Sequence, residues 1–285
     1  MKSGVIQTVS VRARGLGFDV RVGGPDGVRA VLLLHGFPQR ALMWDGLAER
    51  LQGAGLRTIA PDQRGYSPGA RPPEPPAYSV AEAAIDALAL LEELGAHHSP
   101  VNVVGHDFGA MVGWYLAGFH PDHVRTLTAL SVPHPGAIAL ATASDAEQRR
   151  KYGRVLALRR KGVAEAELLA DHGAALREMF AGSGMSPEEV DAHVAPLLAD
   201  QALTPALNWY RAMDNRTVPR AHCPTTYIWG AEDPTVSRSA AHECASFVAD
   251  EFDYLELPGV GHWLVEQALD TVTRAVFDRI GVRPA

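Results

Sequence analysis

The sequence is poor in several features whose absence narrows what the chain can do. Only two cysteines occur in 285 residues. Cys223 beside a predicted strand and Cys244 in a predicted helix form neither a metal-ligand spacing nor a disulfide framework, so both read as free structural thiols. No stretch approaches the roughly 18 apolar residues of a membrane span. The opening MKSGVIQTVSVRARGLGF lacks the apolar core of a secretory signal, so a cytosolic, membrane-free protein is expected. There is no His-Glu-x-x-His, no Gly-x-Gly-x-x-Gly and no P-loop, and the expectation is no metal and no nucleotide cofactor. Net charge is −7 and no basic cluster exceeds the RRK and RRKG groups within 149–162, which argues against a nucleic-acid surface. Those groups read as a solvated helix face. What remains is 47% hydrophobic and 21% charged, enough for a full core in one large domain or one domain with an insertion.

The organising stretch is Val101 to Ala110, VNVVGHDFGA, followed by the apolar MVGWYLAGF. Strand, sharp turn and helix are predicted, and Gly105-His106-Asp107-Phe108-Gly109 fits the Gly-x-nucleophile-x-Gly pattern of a nucleophile elbow. The central residue is Asp107, not serine. A carboxylate is already ionised at pH 7 and needs no base, which suits displacement at a saturated carbon rather than acyl transfer. The competing reading is a plain turn in which Asp107 caps the following helix.

Around this stretch strands and helices alternate. Residues 5–22 read as two antiparallel strands joined near Gly15, and AVLLL (30–34) as a strand buried on both faces. Leu42 to Gly53 reads as a helix, Leu56 to Ala60 as a strand, and Ser79 caps a helix through Leu94, with Glu82 at the capping-box spacing. Val124 to Val132, Thr225 to Trp229 and Phe252 to Leu257 are further strands, and a helix from about Leu264 to Ile280 closes the chain. From about Ala137 to Asn215 the spacing is helical throughout. The expected fold is therefore α/β, a mostly parallel central sheet flanked by helices, with core segments 1–136 and 217–285 and a helical cap at 137–216. Such sheets bind ligands at the carboxyl ends of their strands, and Asp107, Asp233 and His262 all fall there, in the order nucleophile, acid, histidine.

With those residues placed, the sequence resembles the α/β-hydrolase superfamily over essentially its full length. HGFP, DxRGYS, VGHDFGA, VPHP, NWYR and GVGHW together resemble the epoxide hydrolases, with haloalkane dehalogenases as close relatives. The resemblance implies that Asp107 opens an epoxide to an alkyl ester and that His262, oriented by Asp233, activates water to hydrolyse it. It implies backbone oxyanion donors at Phe37 and Phe108, and it matches Pro38 to a proline often cis in this loop. Relatives protonate the ring oxygen with two cap tyrosines. Tyr210 in NWYR matches one; Tyr152, the only other tyrosine in the expected cap, is the candidate for the second, with His172, His193 or no partner as alternatives.

His106, Trp209, Trp263 and Pro38 are expected to line the substrate pocket together with Phe37 and Phe108. Histidine is plentiful, at 12, so His106 and His134 also admit a structural, hydrogen-bonded role. His35 is expected to orient the HGFP loop, and Asp62 with Arg64 to form a buried ion-paired turn. No expected wall residue carries a fixed charge, which points to a neutral, apolar epoxide with water as co-substrate. A homodimer is left open. The same nucleophile would serve a dehalogenase acting on a haloalkane or haloacid, although Phe37 and Phe108 stand where haloalkane dehalogenases place halide-binding groups, and fluoroacetate dehalogenases have an arginine after the Asp. A hydrolase-like scaffold that binds a small molecule without turnover is the third reading.

Overall fold

A computed structural model describes residues 5–199, 202–214 and 217–283. The elements run β1 (Gln7–Ala13), β2 (Leu16–Gly23), β3 (Ala30–Leu34), α1 (Asp45–Gly53), β4 (Arg57–Pro61), α2 (Val80–Glu93), β5 (Val101–His106), α3 (Phe108–Phe119) and β6 (Val124–Leu130). A helical stretch follows, with α4 (Pro135–Ser144), α5 (Ala146–Ala157), α6 (Val163–Leu169), α7 (Ala174–Glu178), α8 (Pro187–Leu198) and α9 (Leu203–Arg211). The alternation resumes with β7 (Thr225–Gly230), α10 (Arg238–Glu243), β8 (Phe252–Leu257) and α11 (Leu264–Ile280). The strands form one eight-stranded sheet in the order β1-β2-β4-β3-β5-β6-β7-β8. The β1–β2 and β2–β4 pairs are antiparallel and the remaining five are parallel.

The sheet is covered on both faces, which is why its central strands are continuous apolar runs. Along β3 the side chains alternate. Leu32 and Leu34 join one buried cluster with Val103 and Trp114, whereas Val31 and Leu33 join the other with Trp44, Leu47 and Val276. At the antiparallel edge Arg14 and Gly15 both take positive φ, 52° and 78°, the backbone a two-residue hairpin turn requires.

Three details differ from the sequence expectation. Residues Ala41–Trp44 form a separate 3-10 turn ahead of α1, because the Asp62 carboxylate accepts the Ala41 N–H at 2.8 Å and fixes that entry. β6 ends at Leu130 rather than Val132, where Ser131 turns the chain out of the sheet with φ 66°. Asp62 and Arg64 are buried and ion-paired, but not to each other. Asp62 pairs with Arg40 beside α1, and Arg64 forks onto Asp86 of α2 at 2.6 and 2.7 Å. Ser79 caps α2 as expected, its hydroxyl accepting the Glu82 N–H at 3.3 Å. No helix among the described residues is long and apolar enough to cross a membrane.

Candidate active site

The strand-to-helix turn after β5 holds Asp107 at φ 54°, ψ −120°, outside the regions an ordinary L-residue occupies, a conformation that persists only when its surroundings fix it. Those surroundings explain the flanking glycines. A Cβ on Gly105 would lie 2.3 Å from the Gly109 carbonyl oxygen, and one on Gly109 would lie 1.9 Å from that of Leu34. The turn is therefore sterically closed to side chains at both positions. The helix-capping alternative fails here, because the Asp107 side chain makes no capping bond to α3. Its Oδ1 instead accepts the Phe37 N–H at 3.0 Å, across from the loop that follows β3.

That loop is tied down on several sides. The Phe37–Pro38 peptide is cis. His35 accepts the Gln63 N–H at 3.0 Å through Nε2, and Gln39 donates to Glu266 of α11 at 2.6 Å. Gly36 leaves room for the carboxylate, since a Cβ there would lie 2.2 Å from Asp107 Oδ1. The His35 expectation is thus met: its ring links the loop after β3 to the loop after β4.

His262 follows β8, and its ring lies between two carboxylates. Its Nδ1 is 2.8 Å from Asp233 Oδ2, and its Nε2 is 3.6 Å from Asp107 Oδ2. Asp233, in the loop after β7, commits its other oxygen to the loop itself. Oδ1 accepts the Thr235 N–H and hydroxyl at 2.7 Å each and the Val236 N–H at 3.1 Å. The His262 carbonyl accepts the Ser131 hydroxyl at 2.6 Å and the His106 Nε2–H at 2.9 Å, which fixes the backbone beneath the ring.

The electrostatics follow from this arrangement. Burial lowers the His262 pKa, but the Asp233 charge and hydrogen bond, together with the Asp107 carboxylate 3.6 Å away, outweigh it and raise the value to about 10. For Asp107 burial raises the pKa, yet His262 and the Phe108 N–H hold it below the ordinary aspartate value. Asp233 behaves alike, with burial opposed by the charge and hydrogen bond of His262. Without substrate, the ground state is therefore carboxylate, imidazolium, carboxylate.

Asp107 lies 18% exposed at the floor of a cavity of about 910 Å³. Apolar groups dominate its lining, among them Phe37, Phe108, Met179 and Trp263. Tyr210 of α9 and Tyr152 of α5 both line it, as do Pro38, Thr235 and His262. Burial, followed by the nearby Asp107 charge, pushes the Tyr210 hydroxyl well above its ordinary pKa, and burial raises that of Tyr152. Both are neutral O–H donors at pH 7. Of the histidine alternatives, neither His172 nor His193 lines the cavity; His193 Nδ1 accepts the Arg40 N–H at 3.0 Å instead.

Two expected wall residues stand behind the wall. His106 is wholly buried on the side of the strand end away from the cavity, because it precedes Asp107 and strand neighbours point to opposite faces. Burial, with the His262 charge, lowers its pKa to about 4, so it is a neutral structural donor. Trp209 packs against Phe108 with ring centroids 5.1 Å apart and donates its indole N–H to the Arg64 carbonyl at 2.7 Å. Its neighbour Tyr210 is rotated about 100° around α9 and takes the cavity-facing position. The expectation of uncharged walls also needs correction: Arg154, Asp214 and Glu232 belong to the lining, all three exposed, so they lie where the cavity meets solvent. Sequence reasoning missed Ser131 and Thr235. The Asp-x-Thr spacing of an Asx turn was a usable signal for Thr235, whereas Ser131 carried none.

Residues 29–269 match the family described as alpha/beta hydrolase fold. The chain is similar to Epoxide hydrolase A of Mycobacterium tuberculosis, 28% identical over 312 aligned residues that cover 94% of this chain and 95% of the relative. It is also similar to the AB hydrolase superfamily protein YfhM of Bacillus subtilis, 30% identical across 82% of this chain and 84% of the relative. Among solved structures, Epoxide Hydrolase A from Mycobacterium thermoresistibile superposes with a TM-score of 0.83 at 26% identity, covering 99% of this chain and 100% of that one.

Proposed function

The chain belongs to the α/β-hydrolase family, and from that premise we propose that it hydrolyses an epoxide to a vicinal diol through a covalent Asp107 ester, without a cofactor. The observation that carries this reading is the Asp107 carboxylate itself. One oxygen rests on the Phe37 N–H and the other faces both the cavity and His262. In the first step Asp107 Oδ2 attacks a ring carbon, the C–O bond breaks, and Tyr210, with Tyr152, protonates the leaving oxygen. Esterification removes the Asp107 charge that helps hold the imidazolium, so His262 releases its proton to solvent and the tyrosinate regains one from solvent. In the second step neutral His262 takes a proton from water, which attacks Cγ of Asp107. The oxyanion forms on Oδ1, which already accepts the Phe37 N–H at 3.0 Å, with the Phe108 N–H as second donor. Collapse expels the diol oxygen, which takes its proton from His262, and the Asp107 carboxyl so formed gives its proton back to His262, restoring the starting pair. The helical segment 137–216 serves as cap over core segments 1–136 and 217–285, in a cytosolic protein. The test is turnover of styrene oxide and a panel of epoxides by the purified protein. A panel without diol product overturns the reading.

The cavity walls favour neutral, apolar or aromatic epoxides, with the charged rim remaining solvated outside. Replacing Tyr210 by Phe keeps the ring packing on Phe37 and Phe108 but removes one donor. Alkylation is expected to slow about 10- to 100-fold, and by about 10²- to 10⁴-fold when Tyr152→Phe is added, with ester hydrolysis unchanged. Stopped-flow kinetics separate the steps. Slowed hydrolysis with unchanged alkylation means that Tyr210 acts elsewhere.

The His262 pKa of about 10 gives a pH prediction. Esterification consumes the Asp107 charge, one of the interactions that hold the imidazolium, so the His262 pKa falls in the intermediate and the base form appears when it is needed. The ester-hydrolysis rate should rise with pH through an apparent pKa below the free-enzyme value and then level off. In Asp107→Asn protein, NMR of the His262 ring should show titration at lower pH than in the wild type. An unshifted titration contradicts the argument.

A further inference from the structure

The RRK group at 149–151 hides a residue that is not part of a solvated face. Lys151 of α5 reaches down to the loop that carries Asp233, its Nζ donating to the Asp233 carbonyl at 2.7 Å and the Val236 carbonyl at 2.9 Å. One turn earlier on the same helix Gln148, wholly buried, donates to the Thr235 carbonyl at 3.2 Å and accepts the Ser237 N–H at 2.7 Å. Asp145, which caps α5, accepts the hydroxyl of Ser239 in α10 at 2.5 Å. Gln148 and Lys151 are spaced three apart, which places them along one face of α5. The same loop turns its other polar groups inward, the Thr235 and Val236 N–H groups both resting on Asp233 Oδ1. Inward groups fix the carboxylate and outward groups are held by α5.

We propose that Gln148 and Lys151 are positioning residues for the Asp233–His262 pair. Through them a helix of the segment between β6 and β7, whose Tyr152 and Val155 line the cavity, also sets the acid loop beneath it. The partner of Lys151 on its own helix, Glu147 at 3.2 Å, is half exposed and adds little. The bonds that matter are those to the carbonyls, charge-assisted and with the Lys151 side chain only 16% exposed. The geometry gives Lys151 two bonds on the loop, one on the carbonyl of the acid itself. This inference rests on the reading of Asp233 as the orienter of His262, so its kinetic signature belongs to the step that needs that pair. Alkylation by Asp107 needs no base and is spared.

The test pairs Lys151→Met, which keeps the buried stem, with Lys151→Arg, which keeps a cation able to reach two carbonyls. In Lys151→Met, ester hydrolysis should slow about 10- to 100-fold with alkylation within about twofold of wild type, because small misplacements of a reacting group cost that much. Lys151→Arg should recover most of the loss. Independently of any substrate, hydrogen exchange at the Thr235 and Val236 amides should accelerate about tenfold in Lys151→Met and return toward wild type in Lys151→Arg. Loss of both half-reactions alike, unchanged exchange at those amides, or faster exchange without slower hydrolysis overturns the proposal. Should the wild type form no ester on any epoxide, that failure belongs to the proposed function, and the exchange result alone decides the positioning role.

Discussion

Asp107→Asn protein is expected to lose at least about 10⁴-fold in epoxide turnover while staying folded, because removing a nucleophile from a concerted site costs that much or more. That loss corresponds to about 5 kcal/mol of barrier. The substitution isolates the charge. Asparagine has the same shape, is among the few residues that tolerate positive φ, and its carbonyl oxygen can still accept the Phe37 N–H. The glycines that open the turn are untouched. Circular dichroism and thermal melting should therefore match the wild type closely, and an epoxide should still enter the cavity. Turnover above about a tenth of the wild-type rate, in protein whose mass confirms the substitution, would remove Asp107 from the role of nucleophile.

His262→Gln is expected to stop the reaction halfway. Alkylation uses only the ionised carboxylate and the tyrosine donors, whereas ester hydrolysis needs a base on water, so the hydrolysis step should fall about 10⁴-fold. Intact mass after mixing with styrene oxide should show one equivalent of adduct, mapped to the peptide containing Asp107. The pH of this experiment matters. His262 is the interaction that chiefly offsets burial and holds the Asp107 carboxyl ionised, so its removal lets burial raise the Asp107 pKa. Alkylation in the variant should fade as pH drops through that raised value, and the trap is best set near pH ~9, well above the reference aspartate value. Asp233→Asn should give a milder form of the same arrest, since Asp233 holds His262 but touches no reacting atom.

Much of this was legible in the chain because strands and turns in a parallel sheet announce themselves locally. AVLLL and VNVVGH are buried at every position, so their composition carried the assignment. Gly105 and Gly109 were legible for a steric reason: a Cβ at either position would collide with a backbone carbonyl oxygen. The Asp107–His262–Asp233 order needed only strand ends. The cavity was less legible, because which side of an element faces it depends on packing between segments distant in sequence. His106 and Trp209, both adjacent to residues that do line it, turned away to satisfy a carbonyl each, on His262 and Arg64. The same kind of long-range contact hid Lys151, whose neighbours Arg149 and Arg150 are exposed as the charge run suggested. The charged rim was unreadable because Arg154, Asp214 and Glu232 come from three separate stretches.

The central claim is that water attacks the Asp107 ester at its carboxyl carbon and not the epoxide itself. A single turnover with enzyme in excess over styrene oxide, in water enriched in the heavy oxygen isotope, separates the two. The covalent mechanism predicts that the heavy oxygen appears in the peptide containing Asp107 and that the diol from this first turnover is unlabelled. Label in the diol with none in Asp107 would mean direct attack by water, and would contradict the covalent mechanism whatever the effects of the substitutions.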